Sequence, residues 1–228
     1  MANTAMNARD GQVTDTAPAQ APGGPTVRVW DRLVRVFHWG LVAAIATAWL
    51  TAGELQPVHE FAGYTVAALV AFRLIWGFAG SHYARFAQFV KGPGETLAYL
   101  GTMLRGSERR SLGHNPAGAA MILALLLTLS GTAFTGWLMA EPDRVAMLPG
   151  LPQIVSPARA DDDGDEPGEG REIEGPLGDL HETLANLLLL LVGVHVGGVV
   201  LASVRHRENL ARAMLTGHKR APGPGDIA

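Results

Sequence analysis

Four stretches of the chain stay apolar for long enough to cross a bilayer: 34–53, 58–80, 116–140 and 180–204. A hydrocarbon core about 30 Å thick needs a helix of about 20 mostly apolar residues. The third stretch carries no charged residue. It also opens with a start signal, Asn115 as N-cap and Pro116 at the first helical position. The pattern predicts an all-α fold, an integral membrane four-helix bundle over residues 27–215. Residues 1–26 are rich in Ala, Pro, Gly, Thr and Asn and lack the apolar core of a signal peptide. They read as a disordered tail. Residues 216–228 read as a C-terminal tail, and residues 141–179 as a long acidic loop between the third and fourth helices.

Composition sharpens this picture. Of the residues, 48% are hydrophobic and 17% charged, against about 25% charged in soluble domains. A soluble fold would have to bury four such helices on every side, and 228 residues are too few to do so. The net charge of −3 gives no reason to expect nucleic acid as a partner. The chain has no cysteine, which excludes disulfides, cysteine-held iron–sulfur clusters and covalent CxxCH haem attachment.

The distribution of basic residues predicts an orientation. Arg28, Arg32 and Arg35 precede or open the first stretch. Arg85, Lys91, Arg105, Arg109 and Arg110 lie between the second and third. Arg205, Arg207, Arg212, Lys219 and Arg220 follow the fourth. The turn between the first two stretches has no Lys or Arg. The 141–179 loop has three Arg against eleven acids. The positive-inside rule puts both termini in the cytoplasm and the acidic loop in the periplasm, for a multi-pass protein of a bacterial inner membrane. The acidic run 161–174 lacks EF-hand spacing. It reads as a solvated loop or as a docking patch for a basic partner.

Ionisable residues inside a membrane are functional candidates. Of eight histidines, His38, His59, His181 and His195 fall in the spanning stretches or at their ends. His82, His114, His206 and His218 fall in the basic loop and tail, where histidine is ordinary. His195 follows His181 by fourteen residues, about 21 Å along a helix and roughly 40° short of four turns. Both therefore share a face, one near each membrane surface. His59 matches the depth of His181, and His38 that of His195. Two pairs of imidazoles could hold two haem irons by bis-histidine ligation. A non-haem metal, a proton relay and structural roles also fit this spacing. Gly193, Gly197, Gly198, Gly131 and Gly136 would leave room for a bulky group, although small residues also serve helix packing. Arg73, fourteen residues after His59, is either the partner of a haem propionate or a snorkelling arginine.

Particular segments carry a family resemblance. Leu180-His181-Glu182-Thr183-Leu184-Ala185-Asn186 with Val192-Gly193-Val194-His195 resembles the fourth helix of the bacterial cytochrome b561 family. Phe37-His38-Trp39 is similar to its first ligand helix, and Val58-His59-Glu60 with Arg73-Leu74 to its second. The likeness covers roughly Val27 to Leu215. Trp30-Asp31 and His114-Asn115-Pro116-Ala117-Gly118 resemble a sub-branch related to the b-type subunit of nickel hydrogenases.

The resemblance implies two non-covalent b haems with His38, His59, His181 and His195 as ligands. It implies electron transfer between the quinone pool, ubiquinone among its members, and a periplasmic c-type cytochrome or oxidoreductase subunit. A homodimer is an open option. Some members resemble superoxide:quinone oxidoreductases, but a strongly acidic periplasmic loop would repel an anionic substrate. A histidine-based metal or proton transporter is the third reading, and the absence of evident inverted repeats counts against it.

Overall fold

The computed structural model describes residues 25–141, 143–146 and 175–227. The N-terminal tail up to residue 24 and the acidic run 161–174 lie outside the described residues. The elements in chain order are β1 (Thr26–Arg28), α1 (Arg32–Thr51), α2 (Gln56–Ala79) and a 3-10 turn (His82–Ala84). These are followed by α3 (Phe86–Phe89), α4 (Pro93–Leu104), α5 (Pro116–Met139) and α6 (Asp143–Ala146). The chain closes with α7 (Pro176–Arg205), α8 (Leu210–Thr216) and β2 (His218–Arg220).

Four helices, α1, α2, α5 and α7, are long and apolar enough to cross a membrane. Their bounds match the apolar stretches to within a few residues, the ordinary scatter of helix ends. The largest difference is at α7, which starts at Pro176, ahead of the continuous apolar run. Proline at the first turn sets helical geometry there without needing hydrophobicity. At α5 the expected start is present: the Asn115 side chain accepts a hydrogen bond from the Gly118 amide at 2.7 Å. Asp31 caps α1 in the same way, accepting from Val34 N at 2.8 Å.

Neighbours in sequence pack in space: α1 on α2, α2 on α5, and α5 on α7. At mid-height all four contribute to one apolar layer of Ala44, Val66, Val70, Leu129 and Leu188. The outward faces carry exposed Leu50, Phe61, Ile75, Phe78, Leu127 and Val204, apolar surface that suits lipid and not water. Hydroxyls within the helices bond to their own backbone: Thr47 to Ala43 O at 2.9 Å, Ser130 to Leu126 O at 2.7 Å, and Thr132 to Thr128 O at 2.9 Å. These hydroxyl donors are thereby satisfied in an apolar medium.

A polar cap covers the end of the bundle that carries both termini. The residues set apart in the sequence as a C-terminal tail, 216–228, are built into this cap as far as residue 227. Here β1 pairs antiparallel with β2, Val27 opposite Lys219. Gly217 makes the turn into β2 with φ +85°, a left-handed conformation that favours glycine. A Cβ there would meet the Trp30 carbonyl oxygen at 2.7 Å. Arg110, 5% exposed, holds Glu208 through two bonds of 3.0 and 2.7 Å and Asp226 at 2.6 Å. Lys219 donates to the carbonyls of Ser111 and Leu112 at 3.0 and 2.9 Å. Burial alone would raise the Glu208 pKa, but Arg110 and Lys219 overcome it and hold that carboxyl below its ordinary value.

Candidate functional site

The four intramembrane histidines sit at two heights. Leu188, in the central apolar layer, is seven residues from His181 and seven from His195. About 10 Å of helix therefore separates each histidine from a dry middle. Val66 divides His59 from Arg73 on α2 in the same way.

Toward the end of the acidic loop, His59 of α2 and His181 of α7 face each other. Their ring centroids are 6.3 Å apart, with planes at 70°. His59 Nδ1 lies 2.8 Å from the Ala48 carbonyl oxygen. A carbonyl only accepts, so the proton is on Nδ1 and Nε2 keeps its lone pair. His181 Nδ1 lies 2.9 Å from Thr135 Oγ1. Thr135 directs its own hydrogen to Gly131 O at 3.0 Å, so it accepts from the imidazole. Metal-binding histidines are oriented in this manner, one nitrogen donating to a fixed acceptor and the other left to coordinate.

Spacing gives a test of fit. A metal–nitrogen bond is about 2 Å and a ring nitrogen lies about 1 Å from the imidazole centre, so two imidazoles that shared one ion would have centroids up to about 6 Å apart. His59 and His181 meet that requirement. Glycine makes room behind them. A Cβ on Gly136 would meet His181 Cε1 at 3.1 Å, and one on Gly131 would meet Leu184 Cδ1 at 3.2 Å. A Cβ on Gly193, Gly197 or Gly198 would touch nothing within 4 Å.

Toward the terminal end, α1 carries His38 and α7 carries His195. The Nδ1 of His38 is shielded and has no hydrogen-bond partner. Arg73 is 4% exposed and does not snorkel to open water. Its guanidinium lies over Phe86 at 4.8 Å and Phe89 at 6.0 Å, and its Nη1 has no partner. Cation–π contact supplies about 2 kcal/mol when desolvated. The rings supply no anion, and a buried guanidinium without one stays uncompensated.

Two residues at this end gain roles that spacing did not indicate. Asp31 accepts from Trp76 Nε1 at 3.2 Å and from Ser81 Oγ, tying α1 to the end of α2. His114, grouped in the sequence with ordinary loop histidines, lies between Trp30 and Phe89 with centroids at 4.6 and 4.7 Å and planes tilted by 45° and 55°. Its Nδ1 is shielded and unpartnered. The available signal was the position of His114 immediately before an N-cap, which fixes it at the mouth of α5. Nothing local in the sequence announces the Ala48 and Thr135 acceptors. Among the described residues, no three of His, Asp and Glu converge on one point as a metal cluster.

Four span-length helices with histidines at two depths define a helical membrane protein with polar chemistry in its interior. The chain belongs to the prokaryotic cytochrome b561 family, whose model matches residues 29–217. It is similar to a probable Ni/Fe-hydrogenase B-type cytochrome subunit of Bradyrhizobium diazoefficiens, 26% identical over 152 residues, covering 54% of this chain and 61% of that one. The chain thus spans about three-fifths of that relative's length. No solved structure matches. Its family and its four span-length helices make it a multi-pass bacterial membrane protein of the b-type cytochrome class.

Proposed function

We propose that the chain binds two b haems and carries electrons between a periplasmic redox partner and the quinone pool. His59 and His181 hold one haem near the periplasmic face, and His38 and His195 hold the other near the cytoplasmic face. The observation that carries this reading is the His59–His181 pair: 6.3 Å between centroids, with both Nδ1 atoms committed to fixed acceptors. When bound, the haems supply one-electron redox chemistry.

The chain's own residues place and tune that chemistry. Ala48 and Thr135 fix the tautomers and raise the basicity of the periplasmic ligands. The Ala44, Val66, Val70, Leu129 and Leu188 layer keeps water and ions from the middle of the bundle. Arg73 holds a propionate of the cytoplasmic haem, which gives its buried charge an anion. The basic terminal end supports a cytoplasmic location for both termini. The acid-rich 141–179 loop favours a cationic periplasmic partner, such as a basic c-type cytochrome or an oxidoreductase subunit with a basic face. The similarity to a hydrogenase cytochrome subunit supports the second of these.

The test is the haem content of purified protein by reduced-minus-oxidised spectroscopy and pyridine extraction. Two b haems per chain are expected. One haem, or none, would sink the proposal.

A further inference from the structure

Two short motifs far apart in the sequence meet at the cytoplasmic end. Trp30, of Trp30-Asp31, packs against His114, of His114-Asn115-Pro116, with centroids 4.6 Å apart and planes tilted by 45°. Phe89 flanks the same imidazole at 4.7 Å. Phe89 also lies beneath the Arg73 guanidinium at 6.0 Å. Arg73 and His114 therefore border one aromatic ring. Each keeps a shielded nitrogen without a partner, Nη1 on Arg73 and Nδ1 on His114. An unsatisfied buried donor costs about 1–3 kcal/mol, more when charged. Two of them at one place call for an acceptor that serves both.

The acceptor's chemistry follows from what the protein withholds. Asp31 is the acid near Arg73, but it is engaged by Ser81, Trp76 and the Val34 amide. Burial, with the Arg73 and Lys219 charges nearby, holds the His114 pKa well below the ordinary imidazole range. His114 is therefore neutral at physiological pH, and in the tautomer protonated at Nδ1 it has a single N–H to give there. One fixed cation and one neutral donor suit a carboxylate. A neutral carbonyl would accept the hydrogen bonds and leave the buried charge of Arg73 uncompensated.

We propose that His114 is the second donor, with Arg73, to a propionate carboxylate of the haem held by His38 and His195. This rests on the two-haem reading. It gives the Trp30-Asp31 and His114-Asn115-Pro116 segments a joint role: Trp30 and Phe89 clamp the imidazole, and Asn115 anchors it to the first turn of α5. A quinone carbonyl is the competing acceptor, and the experiment separates the two.

The decisive variant is His114→Phe, which keeps a ring between Trp30 and Phe89 and removes the N–H. The holoprotein is stripped of quinone and loaded with haem labelled with 13C in the propionate carboxyls. Spectroelectrochemical titration is combined with redox-difference infrared spectra. Loss of a donor leaves the carboxylate more negative and favours ferric iron. The expected result is a lower midpoint for one haem, an unchanged midpoint for the other, and a displaced labelled carboxylate band. His114→Gln, which keeps a donor, restores both in part.

Unchanged midpoints and an unchanged labelled band in His114→Phe would overturn the proposal. So would effects that appear only when quinone is added back, which would place a quinone carbonyl at His114. If His114→Phe does not assemble, His114→Leu decides on the same readouts. A wild-type protein with one haem per chain breaks the two-haem reading itself, a result distinct from a two-haem protein indifferent to His114.

Discussion

The two ends of the bundle solve one problem differently. At the end proposed to face the periplasm, His59 and His181 are oriented from within the helices, by a carbonyl of α1 and a hydroxyl of α5. At the end proposed to face the cytoplasm, His38, Arg73 and His114 all keep unpartnered shielded nitrogens, and a cap of strands and ion pairs closes over them. The first pair of imidazoles has its acceptors within the protein. The second region leaves its shielded nitrogens without protein partners, and under the proposed function a haem propionate would supply the missing anion. Preorganisation is thus concentrated at one end.

The largest effects should come from removing ligands, which tests whether the ends are separate. His181→Ala is expected to keep one haem per chain and lose the periplasmic one. His195→Ala should keep one and lose the cytoplasmic one. Haem content and the spectrum of the remaining haem decide it. If both variants lost the same spectral component, the division of the bundle into two sites would be wrong.

The next effect concerns the cap alone. Arg110→Met leaves the half-buried Glu208 and Asp226 carboxylates without their main partner, and the cap should be destabilised. Hydrogen exchange should rise at residues 218–227, and the periplasmic haem should be undisturbed. The same cluster predicts a pH response. The Glu208 pKa is depressed in the folded state from an ordinary 4.5. Its contribution is therefore fully present above the unfolded value and is lost as pH falls through the lower folded one. The cap should stay closed at neutral pH and loosen only in acid below about 4.5. Release at pH 6 would contradict the assignment.

How much of this was legible in the sequence differs between the ends. The helices were, because lipid demands an unbroken apolar run and the chain supplies four. The depth of each histidine followed from spacing along a straight helix. The Nδ1 acceptors were not legible. Ala48 offers only a backbone oxygen, and any alanine has one. Thr135 is one of several hydroxyls on α5 and stands out only because Gly136 lets the His181 ring approach. The cap was hidden for another reason. Arg110, Glu208, Lys219 and Asp226 are each ordinary surface residues by type, and only chain return across about a hundred positions buries them together. His114 belongs with them, since its partners Trp30 and Phe89 come from other segments.

A smaller effect probes the completeness of the periplasmic site. Thr135→Val removes the acceptor of the His181 Nδ1–H while nearly preserving shape. The ligand becomes less basic and donates less to ferric iron, so the midpoint of the periplasmic haem should rise. The cytoplasmic midpoint should hold, and Thr135→Ser should restore the wild-type value. Spectroelectrochemistry reads all three. A fall in that midpoint would mean that Thr135 donates instead of accepting.

The smallest expected effect is also the most specific. Gly136→Ala places a methyl group 3.1 Å from His181 Cε1, tight enough to move the ring by a few tenths of an ångström but not to expel it. The carbon lies 3.6 Å from Nδ1, so the displacement acts on the edge of the ring that bonds Thr135. A lengthened Nδ1–Oγ1 bond weakens the second-sphere interaction without abolishing it. The midpoint of the periplasmic haem should therefore move in the same direction as in Thr135→Val, by less, with full haem content. In the double variant the two changes should not add, because a ring with no acceptor has no hydrogen bond left to stretch. Additive shifts would show that Gly136 acts by crowding the haem itself, and the periplasmic site would then owe its tuning to space and not to the Thr135 hydroxyl.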